Sequence, residues 1–231
     1  MDYSSPVLLQ ARLLLGKKLG LLRPMVGFFR RMRHADYEER FGQALLKSVS
    51  ANDTVWDIGA NRGFYTQQFA KLAASGTVVA FEPSPATFRN LEETVGSTPN
   101  VHLENVALSE EDGESSFFVS DSSSFEDSLF SGNDGSRKCV SVRTARADSF
   151  LAQFPPSVIK IDVEGFELEV IRGMAEVLQQ PKLKNVFVEV HFSILSDRGL
   201  QNAPKQIVDL LKHAGMRVAW LDPSHLVASR S

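Results

Sequence analysis

The order of apolar runs and helical stretches predicts an α/β protein built on a doubly wound, mostly parallel sheet. Three observations carry that expectation. Strand-like runs beginning at Thr54, Thr77, Val101, Val158 and Asn185 alternate with segments of helical periodicity, the pattern of βαβ units. The first run reaches an acid, Asp57, and leads into the turn Gly59-Ala-Asn-Arg-Gly63, followed by helix formers. The second run ends in another acid, Glu82, 25 residues after Asp57, a spacing that fits one βαβ unit with its second acid placed to bind ribose hydroxyls.

The elements follow in order. Leu8, Ala11, Leu15, Leu19, Leu22, Val26 and Phe29 form an apolar stripe at helical spacing, broken or kinked at Pro24. They make residues 1–35 a basic amphipathic helical arm ahead of a catalytic domain at 36–231. A helix from Tyr37 to Ser48 leads into the first strand. Phe64 to Ala74 reads as a helix closed by Gly76, and Pro85 to Val95 as one closed by Gly96. Strands at 77–82 and 101–108 complete the first half of the sheet. The Asp112-Gly113 turn introduces an added strand at Glu114 to Val119, paired with Cys139 to Thr144 as a β-hairpin insertion. Residues 120–138, rich in Ser, Asp and Gly, read as a loop beside the site, either a lid or a silent linker. Val158 to Val163 is a strand buried on both faces, followed after Gly165 by a helix carrying Val170, Ile171, Met174 and Leu178 and ended by Pro181. Asn185 to Val190 is the fifth parallel strand, 204–214 an amphipathic helix closed by Gly215, and 216–221 with 226–229 a terminal strand pair.

Composition narrows the class. The 231 residues, 43% hydrophobic and 23% charged, suit one soluble α/β domain burying about 70% of its unfolded surface. A single cysteine, Cys139, excludes an internal disulfide, fits a reducing compartment and reads as a small packed side chain. The net charge of −3 divides unevenly. Residues 1–34 hold seven Lys or Arg against Asp2, giving +6 and leaving −9 for the remainder. An acidic catalytic half argues against nucleic acid as substrate, because counterion release needs basic contacts. No apolar run reaches the roughly 18 residues that span a bilayer, and Arg12 interrupts any leader-like core. The expected location is cytoplasmic. The arm at 6–33 either packs on its own domain or a second subunit, or lies on an inner membrane surface.

The turn suggests the ligand. Glycine brings backbone close to a bound molecule, and the helix behind it aims a positive end at the same point. A dinucleotide turn has a middle glycine for the pyrophosphate, and Gly59-Ala-Asn-Arg-Gly63 lacks it. Asp57 would repel a diphosphate and welcome an ammonium. S-adenosylmethionine, with an amino-acid tail, a ribose and no phosphate, matches both acids. At this point the chain resembles the FkbM family of class I S-adenosylmethionine-dependent methyltransferases, through Asp57-Ile-Gly-Ala-Asn61, Phe81-Glu-Pro83, Asn105-Val-Ala-Leu108 and Lys160-Ile-Asp-Val-Glu-Gly-Phe166, in the family's order. The resemblance implies a Rossmann-like fold with an antiparallel last strand, O-methylation of a sugar, glycolipid or polyketide-like hydroxyl, and an adenine edge near Asn105 and Ala107. The cofactor set is then Asp57, Gly59, Asn61, Gly63, Glu82, Pro83, Asn105, Ala107 and Asp162.

Methyl transfer to oxygen needs the acceptor positioned and its proton removed. Reacting groups of an open α/β sheet gather at the carboxyl ends of strands, which singles out Lys160-Ile-Asp162-Val-Glu164 and Glu189-Val-His191. Lys160, Asp162 and Glu164 alternate with apolar residues, so they are expected on one side of their strand. His191 is the candidate base, being able to take a proton near pH 7, with Asp162 its rival and Lys160 beside them; a His merely bonded to Glu189 is the bland alternative. Asp162, Glu189 and His191 also form a mixed donor set for Mg²⁺ or Mn²⁺. His34, His102, His213 and His225 have no constellation in the sequence. Trp56 reads as core, and Phe64 and Tyr65 as lining for the cofactor. The rival functions are a nicotinamide-dependent dehydrogenase, disfavoured by the missing glycine, and a non-catalytic cofactor-binding or membrane-associated module.

Overall fold

The computed structural model describes residues 39–120 and 137–230. The expected N-terminal arm, His34 and residues 121–136 of the expected loop lie outside the described residues, as does the side chain of Cys139.

Helix α1 covers residues 39–47. There follow β1 (Thr54–Ile58), α2 (Phe64–Leu72), β2 (Thr77–Phe81), α3 (Pro85–Val95), β3 (Val101–Glu104), β4 (Ala107–Ser109), β5 (Gly113–Ser120) and β6 (Arg137–Arg146). The second half runs β7 (Val158–Ile161), α4 (Glu167–Arg172), β8 (Asn185–Glu189), α5 (Phe192–Asp197), α6 (Ala203–His213), β9 (Arg217–Trp220) and β10 (His225–Ser229). The main sheet has the order β3-β2-β1-β7-β8-β10-β9. Its first five strands pair in parallel, and β10 enters antiparallel between β8 and β9. The winding reverses between β1 and β7, which opens a crevice at their carboxyl ends. The expected doubly wound sheet, antiparallel last strand and hairpin insertion are all present.

Strand alternation divides the core between the two faces of the sheet. Trp56, Ile58, Val79, Phe81, Ile159, Ile161, Val186 and Val188 point to one face, with Leu168 and Ile171 of α4 and Ile207, Val208 and Leu211 of α6 in the same cluster. Val55, Val78, Val158 and Phe187 point to the other, with Phe41 and Leu45 of α1 and Phe69 of α2. The helix termini are written locally. Ser84 accepts the Thr87 N–H at 3.3 Å as N-cap of α3, with Pro85 next in line.

Three expectations needed correction. The strand expected at 101–108 is two strands in two sheets. Asn105 Nδ2 donates to the Glu82 and Pro83 carbonyls at 2.7 and 3.1 Å, which turns the chain, and Ala107 then pairs with Thr144 of β6. The helix expected from Gly165 to Leu178 breaks at Gly173. A Cβ there would lie 1.9 Å from the Ser109 carbonyl oxygen, so this glycine lets β4 pass. The strand expected to reach Val163 stops at Ile161, and helix α5 was not anticipated.

Trp56 is fully buried and its Nε1–H donates to the Phe154 carbonyl at 2.9 Å. Trp56→Phe strands that carbonyl and shrinks the side chain. Denaturant unfolding is expected to show a loss of about 1–3 kcal/mol, and an unchanged midpoint would mean that the contact is not formed in solution.

Candidate active site

The turn after β1 is shaped by its neighbours. Gly59 has φ +79°, and a Cβ on it would lie 1.8 Å from the Asp162 carbonyl oxygen. The N–H groups of Gly59 and Ala60 both donate to the Phe81 carbonyl at 3.0 Å. Asn61, also left-handed at φ 51°, donates its N–H to Glu82 Oε2 at 2.9 Å. Gly63 caps α2 with φ +86°. The glycine at 59 therefore serves the close approach of the chain beyond β7, and the amides of residues 59–61 are used within the protein rather than offered to a ligand. Glu82 is nearly buried and takes the Ser84 N–H on its other oxygen at 2.9 Å. Pro83 and Asn105 belong to the same corner, where Asn105 clamps the end of β2; Ala107 lies across the break in β4.

At the switch point Asp57 and Lys160 are register partners on β1 and β7. Lys160 Nζ lies 3.2 Å from Asp57 Oδ1, 3.4 Å from Asp162 Oδ2 and 3.2 Å from the Gly59 carbonyl, and 5.5 Å above the Tyr65 ring. Thr66 Oγ1 donates to Asp57 Oδ2 at 2.7 Å. Burial works against the ammonium, but the charges of Asp57 and Asp162 override it and hold the Lys160 pKa well above its ordinary value. Two of the expected site residues have inward partners. Asp57 has no exposed surface and faces Lys160 and Thr66. Lys160 is 3% exposed and fully engaged, so it positions other groups rather than meeting an acceptor. Asp162, with its side chain 30% exposed, is the outward member of the chain.

Beside it, a second cluster forms by turning rather than by strand alternation. Asp162 lies past the end of β7, and Glu164 (φ 47°) and Gly165 (φ 92°) make a left-handed corner. Arg198 fixes that corner by donating to the Gly165 carbonyl, pairing with Glu169 at 2.6 Å and stacking on Phe166 at 3.7 Å. The corner brings Glu164 to 3.2 Å and Asp162 to 3.9 Å from His191 Nε2, with Glu189 at 3.8 Å. His191 Nδ1 meets the fully buried Glu167 at 2.7 Å. The atoms close enough to share one cation belong to Asp162, Glu164 and His191, so Glu164 replaces Glu189 in the expected donor set.

Burial lowers an imidazole pKa, yet the Glu167 contact and the charges of Glu164 and Asp162 raise that of His191 to about 10. The expectation of a neutral base near pH 7 thus meets an opposing field, since the carboxylates around His191 favour the protonated ring. Glu164 is pushed up to about 7, by burial first and by its acidic neighbours despite His191. A further histidine went unread in the sequence. His225 is buried on β10, opposite Glu189, with Nδ1 at 2.8 Å from Asp222 and Nε2 at 3.4 Å from Glu189. Those two acids raise its pKa to about 9 against the effect of burial. Its signal was the pairing of the last strand with the strand bearing Glu189, a long-range fact. His102 stacks on Phe154 and His213 meets the Asp209 carbonyl, neither of them near the crevice. Phe64 stands 70% exposed at the head of α2, edge-on to Tyr65 at 5.1 Å.

Comparison with known proteins gives concordant matches. The family model for the Methyltransferase FkbM domain matches residues 57–218, which takes in every expected site residue from Asp57 to His191. The chain is similar to the hexuronic acid methyltransferase AglP of Haloferax volcanii, 31% identical over 193 residues, 80% of this chain and 72% of that one. It is also similar to Methyltransferase 1 of Beauveria bassiana, 28% identical over 159 residues, 58% of this chain and 63% of that protein, a little under two thirds of the latter's length. Among solved structures, SMU.1697c of Streptococcus mutans, crystallised with SAH, shares the fold at a TM-score of 0.53 and 12% identity, over 82% of this chain and 95% of that one.

The two raised imidazoles predict a pH dependence of stability. An unfolded histidine titrates near 6.5, so each contributes stability that is complete below that pH and is lost as pH climbs through the folded value, about 10 for His191 and about 9 for His225. The raised Glu164 acts in the same direction between about 4.5 and 7. Thermal unfolding is expected at progressively lower temperature from pH 7 to pH 10, and a His191→Gln/His225→Gln variant to show a flatter profile. A wild-type midpoint that holds steady over that range would contradict the ion-pair geometry.

Proposed function

The chain belongs to the FkbM methyltransferase family, and from that premise we propose an S-adenosylmethionine-dependent O-methyltransferase that acts on a sugar hydroxyl, with hexuronic acid residues as the first acceptors to test. The observation that carries the reading is the corner formed by Glu82 and the Asn61 turn, across the crevice from Asp162. Glu82 is held by two backbone amides at the carboxyl end of β2, the place where an acid meets ribose hydroxyls in folds of this kind. Asp162 is the exposed carboxylate for the methionine ammonium, and Asp57 supports it from behind through Lys160. Asn105 and Pro83 frame the adenine side.

The sulfonium supplies an activated methyl group, so the protein's work is to align the acceptor oxygen and receive its proton. His191, held as an imidazolium, donates a hydrogen bond to the acceptor and offsets the charge of a uronate; the proton passes to a neighbouring carboxylate. The relative from Haloferax volcanii, named for hexuronic acid methylation, supports the acceptor class. The acceptor is a small molecule or glycan rather than a nucleic acid, in keeping with the acidic crevice. A cytoplasmic location, peripheral membrane contact through residues 6–33 and self-association remain proposals that rest on composition alone; among the described residues no helix is long and apolar enough to cross a membrane.

A second reading of the acidic cluster has its own observation. Asp162, Glu164 and His191 converge, and buried Glu167 orients the imidazole from behind, as a carboxylate on the far ring nitrogen does for metal-bound histidines. A Mg²⁺ or Mn²⁺ ion there would orient two adjacent sugar hydroxyls and lower the pKa of one. Binding must expel the His191 proton, so Mn²⁺ titration in buffers of different ionisation enthalpy is expected to reveal proton release. Turnover insensitive to EDTA, with no Mn²⁺ heat, would remove the metal.

Two measurements test the main reading. Glu82→Ala is expected to weaken S-adenosylhomocysteine binding by about 1–3 kcal/mol in calorimetry, the effect of stranding buried hydroxyls. Equal affinity would end the ribose assignment. With labelled methyl donor, transfer to glucuronic acid or its glycosides is expected from the wild type, and silence across hexuronic and neutral sugars would end the acceptor assignment.

A further inference from the structure

Glu189 sits at the end of β8 with its side chain 30% exposed and its two oxygens directed at different histidines. Oε1 faces His191 Nε2 in the crevice at 3.8 Å, and Oε2 faces His225 Nε2 behind it at 3.4 Å. His225 is 1% exposed and cannot reach an acceptor. Its ring is fixed on every side. Nδ1 lies 2.9 and 2.8 Å from the two oxygens of buried Asp222, the backbone N–H groups of Ser224 and His225 anchor Asp222 Oδ1 at 2.9 and 3.0 Å, and Phe41 of α1 stacks on the ring at 4.3 Å.

Burying two ionisable groups under a β-sheet is unfavourable unless each is paired, and an apolar residue in their place would pack as well. Besides their own turn at Ser224 and the Phe41 ring, they reach one carboxylate of the crevice, through Glu189 Oε2. Of the other carboxylates of the crevice, Asp162 is taken by the methionine ammonium in the proposed reading, Glu164 lies 3.2 Å and Glu167 2.7 Å from His191, while Glu189 Oε1 stands 3.8 Å from it.

We propose that the Asp222–His225 pair is a buried clamp that fixes Glu189 as the carboxylate receiving the acceptor's hydroxyl proton. In the step so described, the acceptor O–H bond breaks as the O–CH₃ bond forms. The methyl–sulfur bond breaks with its electron pair remaining on sulfur, and the proton goes to Glu189 Oε1. Glu189 is the catalytic residue; His225 and Asp222 are positioning residues. The assignment rests on the proposed O-methyl transfer.

The test is a double-variant cycle read with labelled S-adenosylmethionine and two probes, methyl glucuronide and methyl glucoside. Glu189→Gln is expected to lower kcat about 100-fold. His225→Gln and the milder Asp222→Asn are each expected to lower kcat about tenfold, as loss of a group that orients a reacting side chain does. S-adenosylhomocysteine affinity should remain at the wild-type value in all three. The decisive result is non-additivity: adding His225→Gln to Glu189→Gln should change kcat by no more than about twofold. Multiplying effects, or losses of cofactor affinity in step with kcat, would overturn the clamp. If the wild type methylates neither probe, the acceptor assignment fails, and the clamp is judged by the ¹⁵N resonances of His225. These are expected to move in Glu189→Gln while those of His102 and His213 stay; unmoved His225 resonances would overturn it.

Discussion

One buried ammonium organises the centre of this protein. Lys160 projects from β7 between two carboxylates and a carbonyl, and its partner Asp57 is its direct neighbour across the β1–β7 ladder. Neither charge is tolerable alone at such depth, since removing one member of a buried pair leaves the other unsolvated at a cost of about 3–5 kcal/mol. The pair therefore ties the two halves of the winding together at the point where the crevice opens. It also determines which acid faces outward. Asp57 is spent on Lys160 and Thr66, and Asp162 is left at the rim.

The same closeness dictates the glycine. The chain beyond β7 passes so near the β1 turn that the Asp162 carbonyl occupies the place of a Gly59 side chain. A glycine read in sequence as room for a ligand is, in the structure, room for the neighbouring backbone. The turn then folds onto β2 through the Phe81 carbonyl and Glu82, so both acids of the 25-residue spacing are buried, Asp57 against Lys160 and Glu82 against the turn.

What was legible in the sequence and what was not divides along range. Strand and helix order and the glycine turns follow from local periodicity and backbone freedom, and they appear where expected. The motif residues were found, but their partners were not. That Lys160 neutralises Asp57, that Glu164 swings to His191 through a left-handed corner, and that His225 stands opposite Glu189 all depend on strand order and on Arg198, 33 residues from the Gly165 carbonyl it fixes. Breaks within expected elements had the same origin. Gly173 lies within the stretch expected as one helix, where β4 passes it, and Asn105 within the stretch expected as one strand, where it reaches back to the end of β2.

The charge of the crevice bears on both substrates of the proposed reaction. Asp57, Asp162, Glu164, Glu167, Glu189 and Asp222 surround three cations, Lys160, His191 and His225, so the unliganded cluster carries an excess of carboxylates. Such a field attracts a sulfonium donor, whose charge disappears on methyl transfer, and the neutral thioether is then held less tightly. Product release and donor capture would thus share one electrostatic cause. An anionic acceptor meets the opposite problem, and only the imidazolium of His191, or a cation bound beside it, can offset the repulsion. In the proposed reaction His191 would matter more as a charge than as a base, and proton removal would fall to the carboxylate that a second, buried histidine faces.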